Sequence, residues 1–439
     1  MSTIVQSICF ILFVGGCSYI AFRGFRFVYR NIKLGRKEDL TDQPGERLKT
    51  VLLIALGQKK MFKRPIAALL HLVIYVSFVI TQIELIEIFI DGIFGTHRII
   101  YNAWEHIPAL RGLYVFAINM IEVLSLLTFI VTVAFLWRRD LLKLPRFNMP
   151  ELKGWPNLDA HIILVLEMFL ITNIFIMNSF DMAAAHGKYG FWLSGMLGQN
   201  WEGLNEGLIE VFEKIGWWGH LAGVMAFLMY LAYSKHLHII LAFFNTYFSR
   251  LTPKGYLPNM PEVTREVKLM LDPNAAVEPI AADAPTKFGA KDIFDLSWKN
   301  LLDAYTCTEC GRCTAQCPAN LTGKLLSPRK IMMDVRDRME EVGSIMDANK
   351  GVWQDDGKTL IENGYISVEE LRACTTCNAC VEECPVNISP LDIIMQLRRS
   401  LIMEDSNSPN EWNGMFANLE NNGAPWQFSP QDRLNWEKE

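Results

Sequence analysis

Five stretches of this chain are long and apolar enough to cross a bilayer, which takes ~20 residues of helix, and nothing else constrains its fold as strongly. They run roughly over Ile4–Phe22, Ile66–Ile90, Leu113–Trp137, Ala160–Ser179 and Trp217–Phe244. Lipid offers no partner to a bare peptide group, so each stretch must be helical. The first lacks a positive leader and a small-residue cleavage site, and Arg23, Arg26 and Arg30 follow it. It therefore reads as a retained helix, not a signal peptide. Loop charge then sets the orientation. The loops after the first and third stretches carry twelve and five Lys or Arg, against two each after the second and fourth. Seventeen against four predicts an N-terminus outside and residues beyond 250 in the cytoplasm.

Residues 251–439 are polar and ordinary in composition. The whole 439-residue chain has a formal net charge of −5 and no basic stripe, which argues against a nucleic-acid partner. Of ten cysteines, Cys9 and Cys17 lie in the first apolar run and eight form two groups of four near the C-terminus. Disulfide scaffolds spread their cysteines between elements. Clustering of this kind points to metal ligation in a reducing compartment.

The two groups share the frame C-x-x-C-x-x-C-x-x-x-C-P: Cys307, Cys310, Cys313, Cys317-Pro318, and Cys374, Cys377, Cys380, Cys384-Pro385. Three cysteines two residues apart wrap a loop around one 4Fe–4S cluster, each thiolate reaching a different iron. The fourth leaves on the following segment to bind the other cluster. The expected ligand sets are Cys307, Cys310, Cys313 with Cys384, and Cys374, Cys377, Cys380 with Cys317. A zinc site would show paired C-x-x-C knuckles without the third cysteine and the C-P. Between and after the motifs, Leu325–Val342 and Pro390–Ile402 show helical periodicity. No G-x-G-x-x-G or P-loop motif occurs, so nucleotide or flavin binding is not expected within the chain.

Histidine inside a membrane is costly and marks function by default. His220 and His238 stand 18 residues apart in the last apolar stretch. On one unbroken helix that is five turns, placing both on one face ~27 Å apart, as ligands of two haems would stand. On the same helix His236 points roughly 160° from that face and reads as a juxtamembrane polar residue. His71, near the cytoplasmic start of the second stretch, matches the depth of His238, so the pair is expected to ligate an inner haem b. His220 has no second histidine opposite it before Ile90. The outer site is thus five-coordinate, completed by His97, His106 or His186, or empty; one haem is expected and two are open. His161, at the start of the fourth stretch, replaces an inner ligand, binds quinone or snorkels.

This layout resembles the gamma subunit of respiratory nitrate reductase, a five-helix dihaem protein. It resembles more closely the cytochrome b subunits of membrane heterodisulfide reductases and sulfite-reductase-associated complexes, through KRPIAALLHLVIYVSFVI in the second stretch. CGRCTAQCPANLTGKLLSPRKIM resembles the α-helical ferredoxin domain of fumarate reductase iron–sulfur subunits, heterodisulfide reductases and anaerobic glycerol-3-phosphate dehydrogenases. The resemblance implies an all-α protein with a transmembrane cytochrome b-like bundle over 1–250 and a linker over 251–295. An α-helical ferredoxin with two 4Fe–4S clusters would follow over 296–402, then a tail over 403–439. In the linker, Ala275–Ala284 has no aromatic residue and is expected to be extended. The tail resembles the linker before the cysteine-rich CCG domains of heterodisulfide-reductase-type proteins. It implies a separate CCG-domain iron–sulfur partner in a hetero-oligomeric complex. The expected function is electron transfer between a membrane quinone pool and a cytoplasmic partner, in a bacterial or archaeal cytoplasmic membrane. The competing reading is a membrane scaffold or redox sensor, but no sensor-type output domain occurs.

Overall fold

The computed structural model describes residues 3–253, 255–277 and 287–438. Among these the chain is helical without a strand; two isolated bridges are the only β pairings. Four helices are long and apolar enough to cross a membrane: α1 (Thr3–Ile32), α2 (Pro65–Phe94), α3 (Pro108–Asp140) and α4 (Trp155–Ala184). Proline stands in the first turn of α2, α3 and α4, where its missing N–H costs nothing. α5 (Glu206–Leu231) packs along α4 through Gly216, Gly219 and Gly223, where a Cβ would collide with Met177, Asn173 and Leu170. Small residues of this kind let two helix backbones approach closely inside lipid.

The last apolar stretch is not one helix. α5 stops at Leu231, a turn carries Lys235–Leu237, and α6 (His238–Tyr247) leaves at 89°. The break has a physical cause in Ser234-Lys235-His236. Ser234 Oγ caps the turn by accepting from His236 N at 3.1 Å, and Lys235 N donates to the buried Asp159 of α4 at 3.1 Å. Lys235 Nζ donates to Pro156 O at 2.7 Å, so its charge stays at the bundle's end instead of entering lipid. The expectation of five turns and one shared face for His220 and His238 therefore fails, and the placement of His236 on the opposite face fails with it.

The cysteine-bearing half packs on that same end. Its core joins α7 (Trp298–Thr306), α8 (Pro328–Ala348) and α9 (Pro390–Met403) through Leu301, Ile331, Val335, Met339 and Leu397. Val28 of α1 and Leu237 belong to the same core, so the two halves share buried apolar surface. Polar locks reinforce the junction. Buried Asn31 of α1 donates to Tyr305 Oη at 3.0 Å and Met339 O at 3.2 Å. Arg36 N donates to Leu296 O at 2.7 Å, and Trp298 N to Arg36 O at 3.0 Å. Lys299 Nζ, buried in α7, donates to Asn245 Oδ1 of α6 at 3.0 Å. Within 251–295, Pro261–Leu271 is helical, and Ala290 and Ile293 already sit in the core with α8 and α9. Of the expected extended run Ala275–Ala284, residues 278–284 lie outside the described residues.

Candidate electron-transfer site

Each cysteine loop starts where a short helix ends. Cys307 caps α7, and Cys374 caps the helix Val368–Ala373. Both chains then turn through left-handed residues at the same two places: Glu309 and Gly311 in the first loop, Thr376 and Asn378 in the second. Glycine is needed at 311, where a Cβ would also meet the Arg329 guanidinium. The repeated frame is thus a repeated backbone.

Cys307, Cys310, Cys313, Cys380 and Cys384 line one cavity with Arg329, Met332 and Ile388. Cys374, Cys377 and Cys380 lie within electrostatic reach of one another and of Cys317. The fourth cysteine of each motif therefore stands with the first three of the other. Among the described residues, no three His, Cys, Asp or Glu side chains converge as a single-ion site requires. Thiols bordering a cavity suit a cube of four irons, each corner bound by a different thiolate. Burial pushes the Cys307 and Cys380 thiols up to about 12 and Cys384 up to about 11. Binding iron as thiolates would relieve these cysteines of that penalty. Backbone N–H groups of Thr376 and Ile388 point at Cys374 and Cys384 sulfurs, at 3.4 and 3.3 Å. Arg312 and Arg146 flank Cys310, and burial drops Arg146 to about 10. A cationic rim of this kind favours the reduced, more negative state of a cluster.

The histidines are arranged differently from the sequence expectation. His71, at the start of α2, has Nδ1 3.3 Å from Gln58 Oε1, and His238, at the start of α6, has Nδ1 3.0 Å from Lys235 O. His220 has Nδ1 3.0 Å from Leu170 O. In each, one ring nitrogen is fixed by a neighbouring oxygen while Nε2 has no such partner, the setting of a metal-ligating imidazole. The His236 ring centroid lies 5.7 Å from that of His238, and its buried Nδ1 has no partner. His71 lies within electrostatic reach of His236, His238 and Arg312. His71, His236 and His238 therefore form one group, to which His220, on α5, does not belong. His161 spends both ring nitrogens, on Asn157 O at 2.8 Å and Asp140 at 2.9 Å, and joins neither. Of the loop histidines, His106 and His186 are exposed, and His97 is bound to Asp181 at 2.9 Å.

Sequence reasoning passed over the side chains that join the two groups. Lys235, next to His236, pairs with Glu309, which lies between Cys307 and Cys310. Burial opposes charge on Glu309, but Arg336 and Lys235 outweigh it and hold the carboxyl below its usual range. Arg329, fully buried, donates to Arg146 O at 2.6 Å and Glu151 at 2.7 Å. Lys60 donates to Val381 O at 3.2 Å, and Lys63 and Arg64 pair with Glu382 and Glu383 in the second motif. The only sequence signal for these contacts was charge adjacent to cysteine, which does not identify a partner hundreds of residues away.

The fold and this site define a protein with membrane-type apolar helices and a two-cluster iron–sulfur domain. The family described as 4Fe-4S dicluster domain matches residues 299–388. The chain is 27% identical to a probable iron-sulfur-binding oxidoreductase of Bacillus subtilis, over 93% of this chain and 57% of that one. It is 25% identical to the EtfAB:quinone oxidoreductase of Syntrophomonas wolfei, over 90% of this chain and 54% of that one. A probable membrane-anchored ferredoxin of Chromohalobacter salexigens is 36% identical over 35% of this chain and 24% of its own length. Heterodisulfide reductase subunits of Methanosarcina also match. The chain spans a little over half the length of the first two relatives. No solved structure matches. These relatives are named as iron–sulfur oxidoreductases and heterodisulfide reductase subunits, and together with the matched domain they support 4Fe–4S electron transfer.

Proposed function

We propose that this chain is the membrane subunit of a quinone-linked oxidoreductase, passing electrons between a membrane quinone pool and a cytoplasmic redox partner. The observation that carries the reading is the seat of the first cysteine loop: Glu309 and Arg312 rest on the bundle end that presents His71, His236 and His238. In this reading Cys307, Cys310, Cys313 and Cys384 hold one 4Fe–4S cluster, and Cys374, Cys377, Cys380 and Cys317 the other. His71 and His238 hold haem b, and His220 is the one ligand offered to a second. These groups supply one-electron chemistry; the protein's part is to fix their spacing, exclude water and set their charge environment. The distribution of Lys and Arg supports a cytoplasmic position for the cysteine half. The name of the Syntrophomonas relative supports quinone as the membrane substrate.

A partner surface belongs to the same reading. α10 (Asn410–Asn422) leaves Trp412, Met415, Phe416 and Leu419 exposed at spacings that share one helix face. Trp426 and Trp436 are exposed beyond it. Aromatic faces of this kind anchor interfaces, and a cysteine-rich CCG-domain subunit is the occupant proposed. The test of the cofactor assignment is stoichiometric. Protein purified anaerobically in detergent should carry close to eight iron atoms beyond haem iron and show coupled 4Fe–4S signals by EPR when reduced. Four or fewer, with cysteine variants of both motifs behaving alike, would contradict it.

A further inference from the structure

The far end of the bundle, away from the cysteines, holds charges that the electron path does not use. Arg98 follows α2 and is buried, with Nη1 3.0 Å from Glu84 Oε1 and Nε 3.0 Å from Asp181 Oδ2. Glu84 also accepts from Asn178 at 3.2 Å, and Glu87 accepts from Tyr114 at 2.7 Å. Asp181 passes the chain to His97 Nε2 at 2.9 Å, whose side chain is 51% exposed. A cavity lined by Glu87, Asp91, His97, Arg98, Asp181 and Glu213 runs beside this chain and reaches Trp217. Trp217 is one turn before His220 on α5, and Glu84 lies within electrostatic reach of His220. Glu122, on α3, is occupied by the N–H groups of Leu193 and Ser194 and stays outside the chain.

A structural clamp for the loop after α2 needs one carboxylate for Arg98. Here Glu84, Glu87, Asp91, Asp181 and Glu213 surround Arg98 and His97, five acids for two bases. So many like charges cannot all be ionised where water is scarce, so some carry protons. A cavity lined this way is polar enough to hold water between them. Hydrogen bonds run from exposed His97 through Asp181 and Arg98 to buried Glu84, and water in the cavity would join the carboxylates that Arg98 separates.

We propose that quinone reacts in the bundle interior beside His220 and that Glu84, Glu87, Asp181 and His97 form a proton path from there to the aqueous face opposite the cysteines, with Arg98 fixing the carboxylates. The proposal rests on the quinone-linked reading above and adds which side exchanges the protons. Reducing one quinone to quinol takes two electrons, delivered in turn from the cysteine sites, and two protons, which enter through His97 and Asp181 and reach Glu84 and Glu87. Oxidation runs the same balance backwards and delivers two protons to that face. Either way, charge crosses the bundle with each turnover.

The full chain in sealed vesicles tests this, with quinone in the lipid, a pH dye in the lumen and a membrane-impermeant reductant outside. That reductant reaches only molecules whose cysteine half faces out. The lumen should become alkaline by two protons per quinone reduced. Glu84→Gln and Asp181→Asn should slow alkalinisation and quinone reduction together by at least about tenfold, with cluster reduction by the external reductant unchanged. Either variant could fail to fold, so His97→Gln, a half-exposed change, serves as the control: it should slow proton uptake, and imidazole loaded in the lumen should restore it. Quinone reduction at the normal rate with a constant lumen pH would overturn the proton path and leave the electron-transfer reading standing. No quinone reduction by wild-type protein with intact clusters would overturn both.

Discussion

The Lys235 ammonium lies among Pro156 O, Asp159 and Glu309, with little water around it. A lysine inside an apolar run has to find such partners, and the ones available stand at the bundle's end. Meeting them breaks the helix and brings His236 beside His238. Extrapolating helical phase from His220 failed for this reason: 18 residues of spacing have meaning only on a continuous helix. The repeated backbone of the cysteine loops, by contrast, was legible, because each C-x-x-C-x-x-C turn follows from the same few local residues. Fixed Nδ1 partners at His71 and His238 support the proposal that these two ligate the inner haem. His71→Ala and His238→Ala should each abolish the low-spin haem b absorbance while iron in clusters stays constant. His236→Ala should shift the haem spectrum without removing it. Haem lost in His236→Ala and kept in His238→Ala would exchange their roles.

Among the elements, α1 to α4 were legible because length and hydropathy suffice for a helix in lipid. The junction between α4 and α8 was not, since its partners lie far apart in sequence. Glu151, just before α4, accepts from Ser327 at 2.7 Å and pairs with Arg329 at 2.7 Å. Burial opposes its charge, but these two contacts outweigh burial and hold the carboxyl below its usual range. The sign follows from linkage. A depressed folded-state pKa stabilises above the unfolded value near ~4.3, and the contribution disappears as pH falls through the folded value. Glu151→Gln should therefore cost about 3 kcal/mol near neutral pH, by leaving Arg329 buried without its carboxylate partner. The gap between variant and wild type, read from hydrogen exchange across α8, should narrow as pH drops below 4.3. A gap that stays constant or widens would remove the ion pair from the account.

At the scale of the molecule, the sequence made both halves legible, but not their shared core. Val28 and Leu237 pack with Leu301 and Met339, and no periodicity in either segment announces that contact. The shared core holds the cysteine loops against the histidines, which a flexible tether could not do. The tail is the other surface at this scale. Deleting Trp412–Glu439 should release a cysteine-rich partner in a pull-down while leaving haem and cluster content intact; retention of that partner would place its dock elsewhere. In the proposed function, electrons cross from the cysteine sites to a membrane quinone by way of His71 and His238. Stopped-flow mixing of chemically reduced protein with quinone tests it most directly, following haem absorbance and cluster bleaching together. Wild type should show cluster re-oxidation, and His71→Ala and His238→Ala at least ~100-fold slowing with cluster content unchanged. Re-oxidation at the wild-type rate in those haem-free variants would contradict it.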